Sequence, residues 1–569
     1  MPEYDVIVIG SGIGGRSAAI EAQKYKLSVA IFDYVHRTQC GNSWLVGGTN
    51  INSGDIPTKL FYRAGQFYYS RMEVSKLGIT LHKNDQTFQW VPFMNNVQLF
   101  CKNLAMSCQV LLQESGIEFH NGYVHFIDET TIQTTGSGIV KTKYRAPIFI
   151  LATGTKPRID KEIFGYDLAI TSDDIFSLKK CPARVLIVGC SSTSVECAGF
   201  LRLIGVSVTI VVDSQPLKNV DEECACRIIE HLDLIGVMFL WKYKVERIEE
   251  IFESSRRSTR VSSLGSRHSD YLQLHFKNYL SAKGSNVEDR TDSFQENSAN
   301  ASSRMKSKPC SSRWRKVFLR KMSSKEERFS SFTDTWSSHP DRRFSKIKQK
   351  MNPIIIDTYE VVMFAQDRVP RIQDMGLRDI KVSIDPDGKI ISNIYDETGC
   401  ETIYAIGDVV AGRPGLSSVA AKSGKLLIGR LYNDSDEVVN YDVVPRVILT
   451  PIKYSYVGLS EQEAIRIYGA EHVEIYERSF RPLSWKILKT HKSKLCFAKM
   501  ICVEDGLVED RVVGLHYIGP MADDIIQGFE LVLKLGVNRK TINDMITVYP
   551  SDASIFSRLS PRRKVQQSV

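Results

Sequence analysis

The chain has 569 residues, 43% hydrophobic and 24% charged, the balance of a folded protein of several domains rather than a disordered one. No apolar run reaches the roughly 18 residues of a membrane-spanning helix, so no membrane span is expected. The net charge of +9 is uneven: residues 281–350 hold 17 Lys and Arg against 8 Asp and Glu, which carries the whole excess and argues against a basic nucleic-acid-binding surface elsewhere.

Residues 4–9 form an apolar strand close to the N-terminus, leaving no room for a signal or transit peptide. The cytoplasm is therefore the expected compartment. Residues 4–33 read as strand, glycine-rich turn, helix and strand. In the turn, Gly10 permits the sharp bend, Gly12 lets a pyrophosphate approach the backbone, and Gly15 lets helix pack on strand. Asp33 ends the second strand, where a carboxylate accepts hydrogen bonds from an adenosine ribose. Strand, helix and acid stand at the distances a dinucleotide site needs.

A helical pattern then runs to about residue 72, and another over 88–115, where Trp90, Phe93, Val97, Phe100 and Leu104 lie near helical spacing. Residues 117–151 alternate and read as a small antiparallel sheet ending in a buried strand, followed by Ala152, Thr153 and Gly154. A second strand–turn–helix–strand unit spans 184–212, so two nucleotides are expected, one bound and one diffusing. Its turn is poorer: after Gly189, Ser191 and Ser194 hold the second and third glycine positions, where a side chain crowds the pyrophosphate or the helix packing.

Strands are expected at 271–276 and 353–364, with 281–350 between them read mostly as a disordered Ser-rich insertion. Within it Trp314, Phe318 and Met322 lie at i, i+4, i+8. This basic amphipathic stretch is weighed as a membrane-surface or groove-binding segment against a solvated loop, and the loop is preferred. The twelve cysteines include no C-x-x-C pair; Cys224 and Cys226 read as free thiols rather than metal ligands, and no metal is expected. Residues 402–408 form a buried strand ending in Gly407 and Asp408, 416–432 a helix, and 441–559 a third unit, before a frayed basic tail.

Residues 450–461, 196–201 and 404–408 carry a resemblance to the high-molecular-weight thioredoxin reductases, in the class I pyridine nucleotide-disulfide oxidoreductase family with glutathione reductase and dihydrolipoamide dehydrogenase. The resemblance covers roughly 4–280 and 353–560. It implies an α/β fold with two Rossmann-like dinucleotide-binding domains and a C-terminal α+β interface domain that makes a homodimer. The implied domains are 1–165 and 369–440 for FAD, 166–368 for NAD(P), 441–560 for the interface, and 561–569 as tail. It places Gly10, Gly12, Gly15 and Asp33 on the ADP half of FAD, Gly48 and Thr49 beside the pyrophosphate, and Thr153 and Gly154 at the return crossover. Gly407 leads into Asp408 on the ribityl chain. Lys59 and Glu196 match an ion pair beside flavin N5, where a fixed cation stabilises anionic reduced flavin.

The departures are as specific. Residues 47–59 keep the Gly, Pro and Lys frame of the family's redox segment, but Asn50 and Asp55 stand at its two cysteines and cannot accept two electrons as a dithiol does. Tyr549 and Ser554 stand at the family's His–Glu pair, and a tyrosine hydroxyl does not titrate near neutral pH as imidazole does. Ser192 replaces the aromatic over the flavin, and the Cys-containing C-terminal tail is not expected. Asp213 replaces the Arg on the NADPH 2′-phosphate, while Lys218 and Arg368 are kept. A dinucleotide at Gly189, Ser191, Glu196, Asp213, Lys218 and Arg368 is therefore as well NADH as NADPH. The expected function is a FAD-binding, thioredoxin-reductase-like flavoprotein that has lost disulfide reductase activity, with an unknown protein partner at the insertion. The alternatives are an NAD(P)H diaphorase, oxidase or transhydrogenase, then a working reductase in redox homeostasis using other thiols such as Cys40, and last a nucleic-acid binder.

Overall fold

The structure, a computed structural model, describes residues 1–34, 44–80, 87–135, 141–251, 314–322, 353–488, 495–504, 506 and 509–562. Cys40, the strand expected at 271–276 and most of the expected insertion lie outside these residues.

The first sheet is parallel and five-stranded, in the order Ile403–Ala405, Ile148–Leu151, Val6–Ile9, Val29–Asp33, Glu118–Asn121. Its central strands read VIVI and VAIFD and are buried up to Asp33, the continuous apolar run of a sheet covered on both faces. Residues 118–121 join this sheet, and only the strands of 123–145 form the small antiparallel sheet. Helix Ile13–Lys24 packs against helix Ser417–Tyr432. The approach is close enough that a Cβ on Gly424 would lie 2.6 Å from the Gly14 carbonyl oxygen. That contact carries the distant Gly407 and Asp408 over the glycine turn.

The second sheet is also parallel and five-stranded, in the order Met238–Trp241, Ser207–Val212, Arg184–Val188, Val361–Phe364, Ile170–Thr171. Against it lies an antiparallel meander of Tyr243–Ile251, Trp314–Lys321 and Ile354–Tyr359. The middle strand corrects the reading of 313–322 as a solvated loop. A spacing of four residues also repeats on one face of a strand, so Trp314 and Phe318 share a face here without a helix. The opposite face supplies Val317 and Leu319, both fully buried. The Arg247 guanidinium covers the Phe318 ring at 4.1 Å. Leu319→Ala should therefore cost about 2–5 kcal/mol of stability, and Lys316→Ala less than about 1 kcal/mol. Urea unfolding that finds the two variants equal would contradict the strand.

The third unit is a six-stranded antiparallel sheet, ordered Arg446–Ile448, Tyr454–Gly458, Arg511–Ile518, Cys496–Val503, Val473–Phe480, Ser560–Pro561. Helix Ala522–Lys534 packs on it, burying Ile526, Phe529 and Leu533. The expected frayed tail begins later than residue 560: Ser560 and Pro561 pair as an edge strand, and Arg562 binds Glu223, Glu461 and Glu477. Among the described residues no helix is long and apolar enough to cross a membrane.

Candidate functional site

Elements from both halves of the first sheet enclose a cavity of about 990 Å³. The turn after Val6–Ile9 forms one wall. Gly10 has φ +114°, and a Cβ there would lie 2.2 Å from the Ala152 carbonyl oxygen; one on Gly15 would lie 2.0 Å from the Gly10 oxygen. Backbone packing requires both glycines. Gly12 is different: nothing lies within 4 Å of its Cβ position, and it faces the cavity. Gly48, at φ +64°, comes so close to this turn that its Cβ would meet Gly12 Cα at 2.8 Å. Asp33 lines the cavity and fixes the turn, accepting the Ser11 N–H at 2.9 Å and the Ser11 hydroxyl.

Thr49, Thr153, Gly154, Gly407 and Asp408 continue the lining. Burial pushes the Asp408 carboxyl up, and Arg368 and Lys389 partly offset this. Three buried polar atoms on the lining have no partner: Ser53 Oγ, Thr153 Oγ1 and Arg371 Nε. Each costs about 1–3 kcal/mol unless a ligand satisfies it. A cavity of about 990 Å³ with a bare backbone cradle and orphaned polar atoms fits a large ligand rich in hydrogen-bonding groups, as FAD is.

At the start of helix Asp55–Val74, Asn50 Nδ2 donates to Asp55 Oδ2 at 2.7 Å and to Ser417 Oγ at 3.0 Å. The Ser417 hydroxyl in turn donates to Asp55 Oδ2. Positions 50 and 55 thus meet side chain to side chain, joined by hydrogen bonds. Lys59 and Glu196 both line the cavity but do not pair. The Lys59 ammonium is bound to Asp523, in the first turn of helix Ala522–Lys534. Glu196 instead accepts the Leu449 N–H at 2.8 Å; burial, and less strongly the Asp55 charge, push its carboxyl up to about 7. Tyr549 is 82% exposed on the single chain. Ser554 is buried, with its hydroxyl on the Ser551 carbonyl at 2.7 Å.

Residues 4–263 match the family model described as pyridine nucleotide-disulphide oxidoreductase, and residues 444–558 match the dimerisation domain of the same family. The chain belongs to this family. Its members bind FAD and NAD(P)H. The thioredoxin reductase of Plasmodium falciparum isolate FCH-5 is 29% identical over 574 residues, covering 98% of this chain and 88% of that protein. That of isolate 3D7 is also 29% identical, covering 98% and 78%.

In the second strand–turn–helix unit of this oxidoreductase, side chains take up two N–H groups of the turn. Ser191 caps helix Ser192–Leu203 in a reciprocal capping box with Ser194, so the Ser194 N–H that would face a phosphate is taken by Ser191 Oγ. Both hydroxyls also donate to the Ala365 carbonyl, at 2.6 and 2.5 Å. Gly189, at φ +96°, packs on Gln366, whose amide donates to Asp213 Oδ2 at 2.7 Å. The acid expected at a ribose is thus already bonded within the protein. Lys218 is exposed on the following turn. Arg368, expected at the dinucleotide, binds Asp173 at 2.9 Å and Thr155 Oγ1 at 3.0 Å and lines the first cavity. Ser192 is exposed at the start of its helix.

The sequence reading missed Ser417, Arg371, Trp44 and Asp523. Trp44 and Arg371 stack at 4.5 Å on the cavity wall. Only Arg371, three residues after Arg368, carried a usable signal; the other contacts depend on tertiary approach.

Proposed function

We propose that this chain is a FAD-binding flavoprotein, related to thioredoxin reductase, that does not pass electrons to disulfides through thiols of its own redox segment. The observation that carries this reading is the 2.7 Å hydrogen bond from Asn50 to Asp55. An amide and a carboxylate meet where the resemblance puts two cysteines, and neither has a two-electron couple at sulfur. Gly10, Gly12, Gly15, Asp33, Gly48 and Thr49 hold the ADP half of FAD, with Thr153, Gly154, Gly407 and Asp408 along the remainder. FAD, when bound, supplies two-electron chemistry; the protein supplies a glycine cradle, fixed carboxylates and exclusion of water. The dimerisation domain supports a homodimer. Tyr549 and Ser554 give it no imidazole–carboxylate pair.

The purified protein should show the absorption bands of bound flavin and no NADPH-dependent reduction of thioredoxin or a disulfide dye above that of free FAD. Robust disulfide turnover abolished by removing its flavin would overturn the reading. A second reading, an NAD(P)H-dependent diaphorase, oxidase or transhydrogenase, draws on the parallel sheet kept beneath the second turn. Stopped-flow mixing separates the two: rapid bleaching of the flavin by NADH or NADPH selects the second reading, and no bleaching selects the first.

A further inference from the structure

Arg368 and Arg371 both line the first cavity, and their side chains are held in opposite ways. Arg368 is committed within the protein, to Asp173 and Thr155. Arg371 is not. Its Nε is buried without a hydrogen bond, and among the described residues no acid forms an ion pair with it. Its guanidinium lies over the Trp44 ring, 4.5 Å from the centroid. The other cations of the wall are accounted for: Asp523 binds Lys59, and Lys156 is exposed, with Asp374 acting on it. Asp33 acts on Arg371 as well, but Asp33 Oδ2 already accepts the Ser11 N–H and the Ser11 hydroxyl.

Both members of the stack are anchored beside the first glycine turn. The Arg371 N–H donates to the Gly154 carbonyl at 3.0 Å, and Ala152 and Thr153, just before Gly154, press on Gly10. Trp44 leads into Gly47 and Gly48, and Gly48 presses on Gly12. The stack therefore bridges two segments that each touch the turn. An indole face holds a guanidinium flat and leaves its N–H edge free to donate. A desolvated guanidinium with an unfilled donor is costly until an anion takes that donor, and its planar fork matches phosphate oxygens. Thr153 Oγ1 is a second unfilled group on the same stretch of wall.

We propose that Arg371 binds a phosphate of the ADP half of the cofactor, and that Trp44 is the positioning residue that keeps its guanidinium on the cavity wall. The inference rests on the flavoprotein reading and extends it to a residue outside the glycine cradle.

Calorimetric titration of the full-length apoprotein with FAD and with ADP tests it. Arg371→Gln should weaken both ligands alike, by about 10- to 100-fold, the range of a hydrogen bond to a charged group. The urea midpoint of the apoprotein should barely move, because the Trp44 stack is what the side chain loses. Trp44→Leu should weaken both ligands in the wild-type background and add nothing in the Arg371→Gln background. Additive losses would overturn the positioning role of Trp44. Equal FAD affinity in wild type and Arg371→Gln would overturn the phosphate contact and leave the flavoprotein reading standing. A wild type that binds ADP and not FAD, with ADP weakened in Arg371→Gln, would keep the contact and sink the flavoprotein reading. A wild type that binds neither overturns both.

Discussion

Gly12→Ala should fold with near-normal stability and lose FAD, whereas Gly10→Ala should fail to reach the native fold. The two glycines lie two residues apart in one turn and are required for different reasons. At Gly10 a Cβ would lie 2.2 Å from a backbone oxygen at φ +114°, so strand and crossover must part to admit it. The strand concerned is the centre of the first sheet, and its displacement would expose buried Val6, Ile7 and Val8. The cost should exceed about 3 kcal/mol, as backbone strain adds to lost burial. At Gly12 φ is −63° and no protein atom lies within 4 Å of the Cβ position. Gly12 is also the N-cap of helix Ile13–Lys24, where Ala is less favourable than Gly by about 1 kcal/mol. The new methyl group would occupy the space that the proposed FAD site gives to the pyrophosphate. Loss of affinity should reach about 100-fold if one close contact worth roughly 3 kcal/mol is forfeited. Urea unfolding of apoprotein, alongside FAD titration followed by fluorescence, reads the two effects separately. A Gly12→Ala protein that binds FAD as wild type does would mean that this cradle holds no phosphate.

What is legible in the sequence depends on local chain geometry. A glycine that must adopt positive φ, a strand buried on both faces and an acid at a strand end are dictated by neighbours in sequence. Gly10, the strands at 6–9 and 148–151, and Asp33 are legible for that reason, and Gly15 because its Cβ would lie 2.0 Å from the Gly10 oxygen five residues back. Which partner a charged side chain takes is not local. Lys59 meets Asp523 across 464 residues of chain, and nothing near either residue announces the contact. Arg368 likewise bonds Asp173, 195 residues away in the chain. Its short strand, Arg368–Pro370, pairs antiparallel with Thr155–Pro157 at the crossover, a pairing that no motif around Arg368 encodes. Periodicity fails at Trp314 because a four-residue repeat satisfies strand and helix alike, and only burial of the intervening Val317 and Leu319 separates them. In the second turn, the serines read as obstacles to a phosphate. They also serve in part as substitutes for one, taking the Ser191 and Ser194 N–H groups at the helix N-terminus.

Lys499→Met should destabilise the protein by about 3–5 kcal/mol, the cost of stranding buried charge. Lys499 and Asp221 are both fully buried and pair at 2.7 Å, and Lys499 also meets Glu461 at 2.6 Å. Asp221 caps helix Glu222–Leu234 of the nucleotide unit, whereas Lys499 lies in strand Cys496–Val503 of the antiparallel sheet. The pair therefore pins one unit to the other. Burial alone would raise the Asp221 carboxyl, but Lys499 and His516 hold it well below the usual carboxylate range. Removing both charges in Lys499→Met/Asp221→Asn should cost less than the sum of the single changes, because no unpaired charge remains. His516 is buried between the Tyr454 hydroxyl at 2.8 Å and the Leu459 carbonyl at 3.0 Å, and burial lowers its pKa. Both shifts make the unfolded chain bind more protons than the native one, so stability rises with pH in each window. Below about pH 6.5 unfolded histidine takes up a proton that native His516 resists, but this loss is opposed by Glu196, whose raised carboxyl holds a proton that the unfolded chain has released. A loss from Asp221 should begin below about pH 4, where unfolded aspartate is protonated and native Asp221 is not. Urea midpoints measured at stepped pH should show this acid loss, with Asp221→Asn removing it. An acid profile unchanged by Asp221→Asn would show that the buried pair does not carry the acid sensitivity of the domain junction.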